Sequence, residues 1–264
     1  MCIRDRYRVH ENKQLEFHYG SSKSLNSSDN IQLNIEIKNS VKCPRYTGVC
    51  FTNINIGPSP DWLQKKLIAM DQKPINNVVD ITNLIMYEMG QPLHAFDLDK
   101  VNGKGFVVQT LAEGTPFTTL DHVERKLRAE DLMICDTNGA PLCIAGVLGG
   151  LDSGVSETTK TIFLESAHFQ ASTVRKSSTK HNIRSQAARS FEKGSDPNSC
   201  IKALERAAAL LEEICGATQA SNLYDFYPQS IDPCQIEVQV EDVKKLSGLN
   251  INRETLKEVL LALD

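Results

Sequence analysis

The sequence is poor in the features that would assign it a chemistry at once. No apolar run approaches the roughly 18 residues a bilayer-spanning helix needs, so no membrane partner is expected. The net charge is −4 and the pI about 5.9. An overall basic footprint is therefore missing, and any nucleic acid would have to meet a local patch or a partner domain. The eight cysteines (Cys2, Cys43, Cys50, Cys135, Cys143, Cys200, Cys215, Cys234) include no C-x-x-C pair and no Cys/His metal spacing. Their scatter predicts reduced thiols in the cytoplasm, several packed as small hydrophobes. A G-x-S-x-G elbow and a Walker lysine are also missing, which argues against an acyl-enzyme and a P-loop. What remains is ordinary globular composition, 41% hydrophobic and 23% charged, enough for one large domain or two smaller ones.

Taken in order, residues 1–30 are uninformative: the first six read as a non-native end and 21–30 (SSKSLNSSDN) as a loop. Residues 31–37 (IQLNIEI) and 46–56 (YTGVCFTNINI) alternate as strands. Ser59 is placed to cap a helix with Pro60 at its first position and Trp62, Leu63, Leu67 and Ile68 on its buried side. Short apolar runs at 106–110, 131–135, 141–147 and 161–164 predict strands, with a hairpin signal at Asn138-Gly139. A basic helix is expected at 171–180 (Arg175, Lys176, Lys180). A second, capped at Asp196 and ended by Gly216, buries Ile201, Leu204, Ala208, Leu211 and Cys215. Residues 228–233 read as a linker, 235–240 as a strand, and Asn252 caps a last helix with Leu256, Val259, Leu260 and Leu263 on one face. The chain stops at Asp264 without a C-terminal cap, which suggests a second domain cut short.

The stretch that organises the rest is 75–97, INNVVDITNLIMYEMGQPLHAFD. Ile75, Val78, Val79, Thr82, Ile85, Met86 and Met89 fall at helical spacing on one predicted buried face, with Asn76, Asp80, Asn83 and Tyr87 outside it. Gly90 supplies a left-handed C-terminal cap and Pro92 prevents the helix from resuming. Thr82, Asn83 and His94 are thus brought to one place. Alone, His94 reads as a core histidine satisfied by a carbonyl, and Glu165, at the end of the run TIFLE, as a strand-end carboxylate facing water. The glycines at 146–150 (GVLGG) lack the G-x-G-x-x-G spacing and read as a tight turn that something approaches closely. A nucleotide-binding enzyme built on them would need a helix starting immediately after.

Six strings carry a resemblance to a known family: CPRYTG at 43–48, NNVVDITN at 76–83, GQPLHAFD at 90–97, IAGVLGG at 144–150, FLESAHF at 163–169 and RSFEKGSDPN at 189–198. In this order they resemble the editing domain in the beta subunit of bacterial phenylalanyl-tRNA synthetase. The resemblance covers roughly residues 43–228. It implies an α+β fold of mixed, largely antiparallel sheets with flanking helices. It also implies three parts: an incomplete N-terminal segment at 1–40, the tRNA editing domain at 41–230, and the truncated start of the next module at 231–264.

The function it implies is hydrolysis of tyrosine wrongly attached to phenylalanine tRNA. An apolar pocket rejects an analogue that merely adds a hydroxyl by only about a hundredfold, so a second site must select for that hydroxyl. By family match Glu165 accepts the phenol proton. Thr82, Asn83 and His94 line the ester and its attacking water. Gly149 lies against the tyrosyl group, and Ser185 and Ala187 form the wall beside its ring. The family usually has Thr, an acidic residue, Ala and Ser where this chain has Ser185, Gln186, Ala187 and Ala188, which changes that wall. No cofactor is implied for this chain. ATP and Mg²⁺ belong to the complete synthetase: the family's magnesium ligands lie downstream of Asp264, and the alpha subunit of the (αβ)₂ holoenzyme, a separate chain, holds the ATP and phenylalanine sites. The competing reading is a non-catalytic RNA-binding or scaffolding module, which a shallow site or a blocked pocket would favour.

Overall fold

The computed structural model describes residues 22–25, 27–28, 30–232 and 234–261. The expectations for residues 1–21, for Pro233 and for Leu263 lie outside the described residues. The chain divides into two compact units between Ser230 and Ile231.

The larger unit runs, in chain order, through β1 (Asn34–Ile37), β2 (Arg45–Thr52), α1 (Asp61–Ala69), α2 (Asn77–Met89), β3 (Leu93–Asp97), β4 (Gly105–Thr110), β5 (Pro116–Thr118), β6 (Glu124–Lys126), β7 (Leu132–Asp136), β8 (Pro141–Ile144), β9 (Leu148–Gly149), β10 (Ile162–His168), α3 (Ala171–Lys180), α4 (Gln186–Phe191), α5 (Ser199–Cys215), β11 (Thr218–Gln219) and β12 (Tyr224–Phe226). One sheet has the order β1-β4-β7-β8-β9, antiparallel except for the β1–β4 pair. The other has the order β11-β2-β10-β3, all antiparallel, with β12 also on β2. The fold is α+β with mixed, largely antiparallel sheets. The β5–β6 hairpin, β11 and β12 were not foreseen; each is only two or three residues long, too short for a periodicity to show.

The second sheet is buried on both faces, which is why β10 reads as an apolar run; β2, whose sequence alternates, is nonetheless buried at all but its last residue. Along β10, Phe163 and Ala167 face the core between the sheets. Ile162 and Leu164 face the helices, where they meet Leu63 and Leu67 of α1, Ile81 and Ile85 of α2, and Leu204 and Leu211 of α5. The inter-sheet core is aromatic: Phe106 of β4 lies 5.0 Å from Phe96 of β3 and 4.6 Å from Phe163. The Phe163 ring crosses the backbone of Gly48, where a Cβ would sit 2.1 Å from it. Only glycine fits there. Among the described thiols, Cys43, Cys50, Cys135, Cys143, Cys200 and Cys215 are free and buried, and Cys234 is exposed. Burial pushes Cys50 up to about 11 and Cys200 and Cys215 up to about 12.

Helix α2 ends where Gly90 predicts, and it begins at its cap Asn76, a residue that the helical pattern places only on the outer face. The Asn76 side chain accepts from the Val79 N–H at 3.0 Å, and Gly90 closes the helix in the left-handed region at φ 73°. Its faces differ from the pattern at two positions. Ile75, before the helix, is 67% exposed, whereas Asp80, placed outside the buried stripe, is fully buried. Asp80 is satisfied by the Ser59 hydroxyl at 2.6 Å and the Ile75 N–H at 2.8 Å. Ser59 therefore does not cap α1; its hydroxyl is spent on locking α2. Trp62 and Ile68, assigned to the buried side of α1, are exposed, and Leu63 and Leu67 alone fill that role. In α5 one charged side chain leaves the solvated face: buried Arg206 pairs with Glu88 of α2 at 3.1 Å.

In the smaller unit, residues 235–240 do not form a strand. The alternation is present, but no described strand offers a partner, and a strand is stable only in a pair. Val240 instead opens α6 (Val240–Ser247), followed by α7 (Arg253–Leu261), where Asn252 accepts from the Thr255 N–H at 2.8 Å as predicted. Val259 and Leu260 of α7 are exposed, not packed. Among the described residues no helix is long and apolar enough to cross a membrane.

Removing the Asp80 carboxylate leaves two donors at a buried point without a partner. Asp80→Ala is expected to lower unfolding stability by about 2–3 kcal/mol in urea titration. An unchanged midpoint would show that the bonds to Ser59 and Ile75 do not hold α2.

Candidate active site

A cavity of about 530 Å³ opens beside β3, between α2, the end of the first sheet and α4. All seven residues singled out from the sequence line it: Thr82 and Asn83 from α2, His94 from β3, Gly149 from β9, Glu165 from β10, and Ser185 and Ala187 at the start of α4.

The register of the sheet brings the two ionisable groups together. Glu165 on β10 pairs directly with His94 on β3 and with Gly48 on β2. Directly opposed side chains stand on the same face of a sheet, and this face is the one that carries Phe163 and Phe96. The His94 ring meets Phe96 edge-on at 4.4 Å. Glu165 is 4% exposed, so it does not face water, and its Oε2 has no hydrogen-bond partner among the described residues. Burial raises its carboxyl from the ordinary 4.5 to about 8; the nearby Tyr46 hydroxyl pulls the other way and offsets little of this. At neutral pH the group is therefore mostly a neutral acid. Part of the His94 ring reaches the surface, but Nε2 is buried and unpartnered. Burial lowers its pKa to about 4, so the imidazole is neutral near pH 7. It is not the carbonyl-satisfied core histidine of the simpler reading.

The other lining residues divide between open and committed groups. The Asn83 amide has no hydrogen bond to a described residue, whereas the Thr82 hydroxyl donates to the Val79 carbonyl of its own helix at 2.7 Å and keeps only its acceptor side. Gly149 is the close approach that the glycine cluster predicted. A Cβ there would stand 2.8 Å from His94 Cε1 and 3.1 Å from Leu120 Cδ1, so any larger residue would push the imidazole. The Ser185 hydroxyl is used twice: it caps α4 by accepting from the Ala188 N–H at 3.0 Å and donates to the Val147 carbonyl at 2.6 Å. Ser185 thus builds the wall; Gln186 and Ala187 present their side chains to the space.

One supporting residue and one lining residue escaped the sequence reading. Gln91, inside the GQP string, donates to the Ala167 carbonyl at 2.9 Å and ties the turn before β3 to β10. Leu120, in the unforeseen hairpin, donates its N–H to the Gly149 carbonyl at 3.0 Å and closes one side. Nothing in the local pattern at Leu120 announces this. The glycine loop itself holds no phosphate cradle. The Gly150 N–H bonds the Leu142 carbonyl at 2.7 Å, and a 3₁₀ turn, Leu151–Ser153, follows where a helix would be needed. Among the described residues there is no group of three His, Cys, Asp or Glu side chains placed to hold a metal.

A mixed-sheet α+β unit with this cavity has a known family. The chain belongs to the B3/4 domain family, whose profile matches residues 42–216. Within that class it is similar to beta subunits of phenylalanine–tRNA ligase. It is 47% identical over 239 residues to that of Porphyromonas gingivalis and 45% over 238 residues to that of Bacteroides thetaiotaomicron. These matches take in 90% and 89% of this chain; it spans only 29% of either relative's length. Among solved structures, the crystal structure of an N-terminal fragment of the phenylalanyl-tRNA synthetase beta subunit from Pyrococcus horikoshii matches 91% of this chain and 67% of that one, at 14% identity and a TM-score of 0.47.

Because the folded carboxyl of Glu165 is raised, its contribution to stability is complete below about 4.5 and is lost as pH rises through about 8. His94, lowered from 6.5, works the opposite way but only below 6.5. Urea unfolding at about pH 6.5 and about pH 8.5 should show the native chain losing about 2 kcal/mol more than Glu165→Gln does. Equal losses in the two proteins would place Glu165 in a solvated setting.

Proposed function

We propose that this chain is the editing part of a phenylalanine–tRNA ligase beta subunit, hydrolysing the ester of tyrosine wrongly attached to tRNA(Phe). The observation that carries the reading is the cross-strand pair Glu165–His94, buried against one cavity with unpartnered polar atoms on both residues. The features that would favour a non-catalytic scaffold are a shallow site, a Glu165 in water, or a pocket filled at 185–188. Instead Glu165 is buried, Ser185 and Ala187 line the space, and Ala188 points into the core.

In this reading Glu165 selects the substrate. A tyrosyl phenol gives the orphaned Oε2 a hydrogen bond; a phenylalanyl ring leaves it unmatched, which costs about 1–3 kcal/mol. Because the carboxyl is mostly neutral near pH 7, it accepts the phenol proton as an acid oxygen, and selectivity for tyrosine strengthens as the group ionises towards pH 8. His94, with a pKa near 4, is too weak a base to remove a proton from water efficiently. Its role is to orient the attacking water. Thr82, with only its acceptor side open, holds a proton of that water. The free Asn83 amide donates to the ester oxygen as it gains charge. Gly149 sets the position of the imidazole against the tyrosyl group, and Ala187 leaves room for the ring. The reaction is a direct attack of water on the ester carbonyl, assisted by the neighbouring hydroxyl of the terminal ribose: the acyl C–O bond breaks, the ribose oxygen takes up a proton from the water, and uncharged tRNA(Phe) and free tyrosine are the products. Aminoacylation, with ATP and Mg²⁺, falls to the complete (αβ)₂ enzyme with its alpha subunit, and the setting is the cytoplasm.

The test is deacylation of Tyr-tRNA(Phe) and Phe-tRNA(Phe) by the purified chain. Hydrolysis of the tyrosyl ester should exceed that of the phenylalanyl ester. Glu165→Ala should lower the ratio by about ten- to a hundredfold, and His94→Ala should slow both esters. A folded chain that hydrolyses neither, and still does so after residues 185–188 are changed to Thr-Glu-Ala-Ser, sinks the proposal.

A further inference from the structure

The overall negative charge conceals a local reversal. Between residues 171 and 193 stand Arg175, Lys176, Lys180, Arg184, Arg189 and Lys193 against the single acid Glu192, an excess of five positive charges in a chain of net charge −4. All six cations are exposed. None makes an ion pair or a side-chain hydrogen bond with a described residue. Elsewhere in the larger unit Arg45, Lys100, Arg125 and Arg206 are each paired with a carboxylate.

Their arrangement is set by the fold. Helix α3 buries Thr173, Val174, Ser177 and Ser178, which turns Arg175, Lys176 and Lys180 outward. The turn after α3 and the helix α4 then bring Arg184 and Arg189 to one cleft of about 290 Å³, shared with Thr179, Asn182 and Glu192. Helix α4 is the partition between this cleft and the large cavity: Gln186 and Ala187 face the cavity, and Arg189 faces the cleft. A helix with side chains is only about 10 Å across. Tyr87 on α2, the helix that lends Thr82 and Asn83 to the cavity, is an aromatic ring 37% exposed, and the charge of Arg189 acts on its phenol, lowering its pKa against the rise that burial causes. Unpaired guanidinium groups beside an exposed aromatic, bordering a cavity, are the elements of a single-strand nucleic-acid surface: cations for phosphates and a ring for a base.

We propose that this face binds the ribose-phosphate backbone of an RNA strand whose aminoacylated 3′ end enters the cavity, with Arg184 and Arg189 holding a phosphate in the cleft and Tyr87 stacking on a base. The inference rests on the editing reading for what enters the cavity, but the surface is tested separately. Guanidinium groups match phosphate oxygens in pairs, and a strand laid over α4 reaches the ester site without any movement of the sheets.

The experiment is fluorescence anisotropy of the full chain with a labelled, uncharged single-stranded RNA and with uncharged tRNA(Phe), titrated at several salt concentrations. R184E/R189E is compared with K65E/K126E, which makes the same change in net charge on α1 and β6. The expected result is at least a tenfold loss of affinity for R184E/R189E and a fall of about 0.7–1 in the salt slope, as the loss of one phosphate contact gives. K65E/K126E should stay close to the unsubstituted chain, and R184K/R189K should retain most of the binding. Both arginines are exposed and unbonded, so the unfolding midpoint serves as the control for folding. Equal losses in the two charge-reversed proteins, or no RNA binding by the unsubstituted chain at about 50 mM salt, would overturn the proposal. Hydrolysis of a small tyrosine ester without RNA, run in parallel, separates the two readings. An active chain that does not bind RNA loses this surface and keeps the editing site. A chain that binds RNA through the arginines and hydrolyses no ester keeps the surface and loses the editing site.

Discussion

A slip of one residue between β3 and β10 would turn one of His94 and Glu165 out of the cavity and into the packing of α1, α2 and α5. Alternation fixes this: Ala95 and Leu164 already occupy the helix side, and Phe96 and Phe163 the side between the sheets. Since both faces are filled with side chains of different size, the register has no second solution. The pairing therefore carries two properties at once. It places two ionisable groups side by side, and it forces them into a dry setting where each is held in its neutral form. A carboxyl raised to about 8 costs the fold stability as pH climbs from about 4.5 to about 8, which is the penalty of burying it beside an apolar core.

The end of helix α2 could be read from the sequence because Gly90 and Pro92 act locally, whereas Asn76, which the helical pattern places on the outer face, is the cap that starts it. The same reading misplaced Asp80 and Ile75, because a helical wheel records polarity and not partners. Asp80 is inside because Ser59, twenty-one residues earlier, donates to it. Trp62 and Ile68 were put inside α1 for the converse reason: they are apolar, but α1 needs only Leu63 and Leu67 to close its contact. Glu165 by itself reads as a residue facing water, and only the family resemblance set it beside His94. The pairing of strands some seventy residues apart has no local signal. Leu120 and the short strands around it had neither a period nor a motif. The strand expected at 235–240 shows the limit from the other side, an alternating pattern with nothing described to pair with.

The departure at residues 185–188 looks different once the bonds are traced. The hydroxyl at 185 is consumed by the α4 cap and the Val147 carbonyl, work that serine does as well as threonine. Ala188 is buried among core residues, so a small side chain is what the position requires. Of the four positions, Gln186 and Ala187 are left to shape the cavity. The exchange of an acid for Gln186 thus removes a negative charge from a wall that adjoins the basic face of α3 and α4.

The buried thiols bear on how long the molecule survives. A thiol whose pKa has been driven to about 11 or 12 supplies almost no thiolate, and thiolate is the form that oxidants and alkylating agents attack. Folding therefore works as a chemical shield over six sulfur atoms, five of them in the two cores of the larger unit. Each complete unfolding lifts that shield, and a sulfur oxidised while open is polar and cannot return to an apolar site. In an oxidising setting the chain would thus age in steps, one unfolding event at a time, with a lifetime governed by how often it opens and not by how stable it is on average.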